Sequence, residues 1–354
     1  MDSRTWPDLT TRLIRGEDLT TEDTAWAMDR VMSGDTSPVV LAGFLAALAT
    51  KGETTDEFLG LADSMQSHAS PVDLTSDSLD IVGTGGDRLR TVNISTTASI
   101  VIAAAGVKVV KHGNRASSSA SGSADCLEAL GVALDLETDD VERIFREIGI
   151  TFLFANKFHP SMKYAAQARR ELAVATAFNV LGPLTNPARP EAGAIGVSNE
   201  AQAPLVAGVL AKRGNRALVF RGTNGLDELS TVVPNQVWEV RDGEVTYYDL
   251  DAVADLGLTS ATIEELRGQE APYNAGIARE TLAGKKDAVR DAVILNAAGA
   301  FVADGRLEGV RPEDGTFLER MAAGLDIARE AIDSGKATAL LERWVELSNE
   351  AKAR

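Results

Sequence analysis

Three polar segments rich in glycine and hydroxyl residues lie between residues 80 and 123, each attached to an apolar run. Glycines let the backbone approach a ligand closely and leave its amide groups free to donate hydrogen bonds. The hydroxyl groups and one lysine, Lys111, add further donors without bulk. This combination is suited to hold a substrate with more than one phosphate. The segments are residues 83–87, 93–96 and 111–119.

The first two segments have both a structural and a binding interpretation. Residues 83–87 follow a short strand-like run, which is the usual ligand position in an open α/β sheet, although a glycine-rich turn alone is more often only a turn. Residues 93–96 could be a plain N-terminal cap of the helix predicted over 96–105. Since a helix N-terminus also binds anions, the two roles are compatible.

The third segment favours a binding role more strongly. A lysine at the end of a buried strand usually extends its ammonium group to solvent, but Lys111 is followed at once by a histidine, a glycine, an asparagine and an arginine. Residues 116–123 have the composition of a flexible linker. They nevertheless connect a predicted strand to a helix predicted over 126–130, where a mobile linker would be costly. We therefore expect a donor-rich phosphate loop.

Two further groups of charged residues could contact a ligand. Asp227 and Glu228 follow a strand predicted over 216–220; on a surface such neighbours are solvated, but at the end of a central strand they suit Mg²⁺. A glycosidase-like acid pair is disfavoured, because sequence neighbours do not easily face each other across a scissile bond. Arg169 lies in a helix predicted over 162–172. It is either a solvent-facing salt-bridge partner or a clamp for a carboxylate, and the sequence leaves both open.

The elements that must position these residues fall into two patterns. Residues 1–72 contain only helix signals, including capping boxes at Thr20 and Thr54 and the Ser37-Pro38 pair. After residue 72 strands alternate with helices, which predicts a mostly parallel central sheet flanked by helices. Residues 161–186 interrupt the alternation and are interpreted as a return to the helical part. The predicted strands are 79–82, 107–110, 132–135, 150–154, 192–197 and 216–220, with a hairpin of 237–240 and 245–248.

Composition excludes several classes of function. The net charge of −17 over 354 residues argues against a nucleic-acid binder, because affinity for the phosphate backbone comes from Lys and Arg. The single cysteine, Cys126, excludes an internal disulfide and fits a reducing cytosol. The N-terminus has no apolar run of signal-peptide length, and residues 39–49 are too short to span a bilayer. We expect a cytoplasmic protein that binds no membrane.

Six ordered segments resemble the anthranilate phosphoribosyltransferase family of the nucleoside phosphorylase/phosphoribosyltransferase superfamily, and the match runs from the N-terminal helices to the C-terminus. The resemblance implies transfer of the phosphoribosyl group of 5-phosphoribosyl-1-diphosphate (PRPP) to the amine of anthranilate, with Mg²⁺, in tryptophan biosynthesis. The segments are residues 83–87, 93–96, 111–115, 154–170, 178–187 and 225–228.

The resemblance also implies an α/β fold with two domains. A small α-helical domain, residues 1–72 with about 161–190, would mediate a homodimer. It would be hinged to a large α/β domain with a mostly parallel central sheet, residues 73–160 and about 191–354. Whether a separate anthranilate synthase component (a glutamine amidotransferase) associates is left open.

Individual roles follow from the same resemblance. Gly83, Asn114 and Arg169 would contact anthranilate, and Ser95, Asp227 and Glu228 would hold Mg²⁺. Lys111 would stabilise the leaving diphosphate, with no covalent nucleophile. His112 as a proton acceptor is less favoured than a structural hydrogen-bonding role. The residues implied to bind PRPP are Gly83, Gly86, Asp87, Thr91, Asn93, Ile94, Ser95, Thr96, Lys111, His112, Gly113, Asn114, Arg115, Ala116, Ser117, Ser118, Ser119 and Ser123.

Two positions depart from the family pattern. Arg221 stands where a histidine is common, and residues 268–270 (Gly-Gln-Glu) replace a Gly-Gly-Asp element. Both departures affect fine tuning more than the reaction.

Two alternative functions remain. A pyrimidine nucleoside phosphorylase would carry a Lys-His-Ser-Thr-Gly-Gly type of first turn, which residues 82–87 lack. A nucleic-acid-binding paralogue without activity is disfavoured by the net charge and by the intact acid pair.

Overall fold

Four helices form the N-terminal part of the computed structural model, which describes residues 4–116 and 120–354. The predicted capping boxes are present at Thr20 and Thr54, and the Ser37 hydroxyl accepts a hydrogen bond from the Val40 N–H. Local sequence therefore sets where these helices begin. The helices are α1 (Trp6–Ile14), α2 (Thr21–Met32), α3 (Pro38–Lys51) and α4 (Thr55–Ser67).

Seven strands of the described residues form one sheet. In chain order they are β1 (Leu79–Gly83), β2 (Val109–Gly113), β3 (Ile150–Phe154), β4 (Ala192–Gly196), β5 (Arg216–Gly222), β6 (Asn235–Arg241) and β7 (Glu244–Leu250). Their spatial order is β3-β2-β1-β4-β5-β6-β7. Neighbours from β3 to β5 are parallel, and the β6–β7 hairpin is antiparallel. The prediction of a mostly parallel sheet with a terminal hairpin is confirmed.

The strand order creates a crevice beside β1. The chain leaves β1 toward β2 and β3 on one side, and β4 then pairs with the other side of β1. Connections that leave adjacent parallel strands in opposite directions open a ligand-binding crevice at their carboxyl ends. Gly83 and Gly196 end these two strands and lie side by side in the register.

Eleven further helices of the described chain surround the sheet. Helix α13 (Ala288–Asp304) is buried along most of its length and packs on β4, β5 and its helical neighbours. None of the described helices is long and apolar enough to span a membrane. The helices are α5 (Ile94–Ala104), α6 (Ser123–Ala129), α7 (Thr138–Ile148), α8 (Ala155–Phe158), α9 (Lys163–Leu172), α10 (Phe178–Leu181), α11 (Ala203–Lys212), α12 (Ala271–Leu282), α13 (Ala288–Asp304), α14 (Phe317–Asp333) and α15 (Lys336–Lys352).

Two hydrophobic clusters form the core. One lies between the sheet, with members on all seven strands, and helices α5 to α7 and α12 to α15. The other joins α1–α4 with α9, α10 and α11 and continues onto one face of β4–β6. Residues of the interrupting segment, including Ala165 and Phe178, belong to this second cluster. The apolar seam of the N-terminal helices is therefore continuous with the sheet through α11.

Three predicted elements are corrected. Residues 132–135 are not a strand, because the Ala133 N–H donates to the Ser348 hydroxyl on α15 (3.0 Å) instead of a sheet neighbour. Strand β2 starts at Val109 and continues through Gly113, so Lys111 and His112 lie within it. Helix α5 starts at Ile94, two residues earlier than predicted.

Candidate active site

A cleft of about 330 Å³ opens at the carboxyl ends of β1 and β2 and at the N-terminus of α5. Three predicted residues are not in its wall: Ile94 and His112 are buried behind it, and Arg169 lies beyond it. Ser117, Ser118 and Ser119 fall outside the described residues. The predicted site residues that line the cleft are Gly83, Gly86, Asp87, Thr91, Asn93, Ser95, Thr96, Lys111, Gly113, Asn114, Arg115, Ala116, Ser123, Asp227 and Glu228.

The loop that carries the acidic pair lies tightly in the β1/β4 crevice. The Asp227 carboxylate accepts a hydrogen bond from the Gly85 N–H at 2.6 Å. A Cβ atom on Gly83 would overlap this carboxylate, and one on Gly196 would overlap the Asp227 carbonyl group. Glycine is therefore required at both strand ends, because another segment approaches their backbone closely.

Burial disfavours the ionised form of both carboxylates. Glu228 accepts a hydrogen bond from the Ser95 N–H at the start of α5 (3.1 Å), and burial raises the pKa of Glu228 to about 7. Burial, followed by the charges of Asp87 and Glu228, raises the pKa of Asp227 well above its usual range. Buried carboxyl groups with raised pKa values are typical of functional sites.

These carboxylates fit a magnesium ion by the chemistry of their donors. Carboxylate and hydroxyl oxygens are hard ligands, and Asp227, Glu228 and Ser95 present them around one end of the cleft. In the described part of the chain, no three His, Cys, Asp or Glu side chains form a metal-binding cluster. A Mg²⁺ ion that takes one or two carboxylates and completes its shell with substrate phosphates and water suits this arrangement.

The Lys111 side chain points into the site and not to solvent. Only 1% of the residue is exposed; its Nζ atom donates to the Ile81 carbonyl and lies 3.5 Å from the Ser95 hydroxyl. Burial lowers the pKa of Lys111, while the charges of Asp80 and Glu228 oppose that effect. The general expectation that such a lysine reaches solvent is wrong here because acids on neighbouring segments compensate the buried charge.

His112 is held by structural hydrogen bonds. Its backbone N–H donates to Asp80 (3.2 Å), its Nδ1 atom lies 3.2 Å from the Gly182 carbonyl, and its ring lies against His159. Burial and His159 lower the pKa of His112 to about 3, so the imidazole is neutral at neutral pH. Since the residue does not line the cleft, this geometry agrees with a structural role.

Arginines near the cleft differ in their partners. The Arg115 guanidinium donates hydrogen bonds to Asp125 and Glu128 of α6, at 3.0 and 2.9 Å.

Arg88 and Arg90 also line the cleft, although the sequence analysis did not assign them. Their φ angles are 61° and 56°. Their position directly after the glycine-rich turn was the signal that could have identified them. Backbone strain of this kind is concentrated at functional sites.

Arg169 is a partly buried cation close to the cleft. Its guanidinium lies over the Phe178 ring, 5.2 Å from the centroid, and the residue after that phenylalanine, Asn179, lines the cleft. Burial lowers the pKa of Arg169. Within residues 4–116 and 120–354 it makes no hydrogen bond or ion pair, so the salt-bridge interpretation has no partner there. Asn179 was missed although it lies in the recognised segment 178–187.

Comparison with known proteins agrees with this arrangement. Residues 7–69 match the helical bundle domain of a glycosyl transferase family, and residues 75–338 match its a/b domain. The anthranilate phosphoribosyltransferase of Arthrobacter sp. (strain FB24) is 60% identical over 97% of this chain and 96% of its own length. That of Thermobifida fusca (strain YX) is 53% identical, over 100% and 99%.

Solved structures give the same assignment. The anthranilate phosphoribosyltransferase of Thermus thermophilus superposes with a TM-score of 0.87 at 41% identity, covering 97% of this chain and 99% of that one. The Saccharomyces cerevisiae enzyme in complex with PRPP and Mg has a TM-score of 0.85 at 27% identity, covering 99% of both chains. With its helical bundle, its α/β domain and its full-length relatives, this chain belongs to the anthranilate phosphoribosyltransferase family.

Proposed function

We propose that this chain transfers the phosphoribosyl group of PRPP to the amine of anthranilate, giving N-(5-phosphoribosyl)anthranilate and diphosphate in tryptophan biosynthesis. One observation carries the proposal: a buried lysine, a helix N-terminus and two buried acids meet in one cleft at the β1/β4 crevice. Family membership supports the same reaction over the nucleoside phosphorylase and nucleic-acid-binding alternatives. The proposal includes a cytoplasmic location, which the single free cysteine fits.

The barrier to this reaction lies in breaking the C1–O bond of PRPP. Positive charge develops on the ribose and negative charge on the leaving diphosphate, while the aromatic amine is already neutral and needs no base to activate it. We assign stabilisation of the diphosphate to Lys111, whose charge lies in a buried site where electrostatic interactions are strong. When bound, Mg²⁺ adds positive charge to the leaving group, and Ser95, Asp227 and Glu228 are the residues proposed to hold it.

The acceptor is proposed to lie on the other side of the ribose. Arg169 would bind the anthranilate carboxylate, and Asn114 and Gly83 would complete its site. The Asn114 amide donates to Asn156 at 3.2 Å, which fixes its orientation. Holding the amine near C1 supplies catalysis by proximity without a covalent intermediate. The remaining predicted residues, including Ser117, Ser118 and Ser119, are proposed to bind PRPP.

The reaction is tested by the loss of anthranilate fluorescence. We expect the purified protein to consume anthranilate only when both PRPP and Mg²⁺ are present. Omission of either one, or addition of excess EDTA, should stop the signal. Cleavage of thymidine by phosphate in place of this reaction would contradict the proposal and support a pyrimidine nucleoside phosphorylase.

We also propose a homodimer formed through the small helical unit, residues 1–72 with about 161–190, with residues 73–160 and about 191–354 as the large unit. Helix α3 buries one apolar face in the core and leaves a second one exposed: Val39 is 82% and Val40 36% exposed. Association would remove this apolar surface from water.

Light scattering is expected to report a dimer at micromolar concentration. Val39→Glu should raise the dimer dissociation constant by at least about tenfold, or ~1.4 kcal/mol, because it places a charge in the interface. Val245→Glu on the β7 edge changes another exposed valine (42% exposed) and should leave the dimer intact. A wild-type monomer under these conditions would contradict the proposal.

A further inference from the structure

Three amide hydrogen bonds in series connect the segment before α12 with the cleft. The Gln269 N–H donates to Asn274 Oδ1 (2.8 Å), Asn274 Nδ2 donates to Asn93 Oδ1 (2.9 Å), and Asn93 Nδ2 donates to the Ser121 carbonyl (3.1 Å). Asn274 is only 2% exposed and does not line the cleft. Each bond runs in the same direction, from a donor to the next acceptor.

The last of these bonds joins two segments that line the cleft. Asn93 lies just before α5, and Ser121 lies just before α6; both line the cleft. Although Asn93 occupies the position of a helix cap, its side chain makes no capping bond to α5. Its amide donates instead to the Ser121 carbonyl and so links the loop before α6 to the start of α5. The separation of these two walls therefore depends on how the Asn93 amide is oriented.

The same segment also holds the backbone beside Asn93. The Gly268 N–H donates to the Arg90 carbonyl (2.7 Å), and the Val92 N–H donates to the Leu266 carbonyl (2.9 Å). A Cβ atom on Gly268 would overlap the Thr91 carbonyl group. Main-chain contacts thus fix the position of residues 90–92, and Asn274 fixes the side chain of Asn93.

An asparagine amide has one acceptor end and one donor end, so its orientation is set by its partners. Because the Gln269 N–H occupies Asn274 Oδ1, Asn274 Nδ2 must face Asn93, and Asn93 must then present Nδ2 to Ser121. We infer that Asn274 is a positioning residue for the PRPP site: it fixes the Asn93 amide that holds the two cleft walls together. This inference rests on the proposed function, because that proposal assigns PRPP to these walls.

Asn274→Asp is the isosteric test. The aspartate still accepts from the Gln269 N–H, but it presents an oxygen to Asn93 Oδ1. Either the two oxygens repel, or the Asn93 amide turns over and faces the Ser121 carbonyl with its own oxygen. We expect the KM for PRPP to rise about tenfold, equivalent to ~1.4 kcal/mol, and the KM for anthranilate to stay within about twofold. The rise in thermal midpoint produced by PRPP with Mg²⁺ should shrink in parallel.

Two variants separate positioning from loss of stability. Ser348→Ala on α15 removes a buried hydrogen bond from the Ala133 N–H, outside the cleft, and should lower the thermal midpoint without changing the KM for PRPP. In an Asn93→Ala background, which removes the opposing oxygen, Asn274→Asp should have no further effect on the KM for PRPP, because coupled residues are not additive.

The outcomes distinguish this inference from the proposed function. An unchanged KM for PRPP in Asn274→Asp, equal increases for both substrates, or full additivity with Asn93→Ala would each overturn the role of Asn274. A wild-type protein that PRPP stabilises but that consumes no anthranilate would overturn the proposed function. The comparison of PRPP-dependent thermal midpoints would then still decide for or against Asn274.

Discussion

Turnover is expected to fall at least about a thousandfold when Asp227→Asn and Glu228→Gln are combined, since a metal-bound leaving group is worth several kcal/mol of barrier. The change removes the carboxylates proposed to hold Mg²⁺ and keeps the side-chain shapes. Asparagine can still accept the hydrogen bond from the Gly85 N–H. Initial rates over a Mg²⁺ series measure the effect.

The same variant should be more stable than the wild type without metal. The pKa of Glu228 is raised from 4.5 to about 7, so the folded protein binds this proton more tightly than the unfolded chain does. The free energy of unfolding of the wild type therefore falls as the pH rises from about 4.5 to 7. The full loss of stability is present above that range. We expect the thermal midpoint of the variant to exceed that of the wild type at pH 8 and the difference to shrink toward pH 5.

A matched control tests whether charge alone is responsible. Glu313→Gln with Asp314→Asn makes the same charge change at two adjacent acids that are exposed and lie outside the cleft. This control should keep wild-type turnover. Wild-type activity of the Asp227/Glu228 variant at low Mg²⁺ would show that the acidic pair is not the metal site.

For Arg169→Ala we expect kcat/KM for anthranilate to fall about 10- to 150-fold, while the KM for PRPP stays nearly unchanged. The guanidinium is partly buried over Phe178, and no acid of the described chain pairs with it. Loss of a hydrogen bond to a charged group costs about 1.5–3 kcal/mol, which gives this range of rates. Steady-state kinetics with each substrate varied in turn measure the effect.

Arg170→Ala is the natural control, because Arg170 is the next residue on α9 and is exposed. Its kinetic constants should match those of the wild type. Equal losses for both substrates in Arg169→Ala would indicate a packing or hinge role. The absence of any loss would remove Arg169 from the anthranilate site.

Local sequence determined where many elements begin. The capping boxes at Thr20 and Thr54 involve residues only three positions apart, so their chemistry is visible without a fold. The alternation of strands and helices predicted a mostly parallel sheet. The glycine-rich turn, the Lys111 segment and the acidic pair were each placed at the end of a predicted strand, which is the usual ligand position in an open α/β sheet.

Contacts between distant parts of the chain decided the rest. Residues 132–135 have the pattern of a strand, because an apolar run looks the same whether it joins a sheet or packs against a helix such as α15. The burial of Lys111 depends on Asp80 and Glu228, the latter more than a hundred residues away. The Arg115 guanidinium faces α6 for a similar reason: its acidic partners are presented only once that helix has packed.

The residue types suited to bind phosphate and metal could therefore be recognised in the sequence, while their orientation and charge could not. Gly196 gave no signal of its own, yet the close approach of the Asp227 backbone requires it. Asn274 lies 181 positions from Asn93, and only the fold brings their amides together. Sequence by itself determined the family, the sheet and the list of polar segments; tertiary packing decided which groups are buried, which are paired and which face the cleft, because those properties belong to neighbours in space.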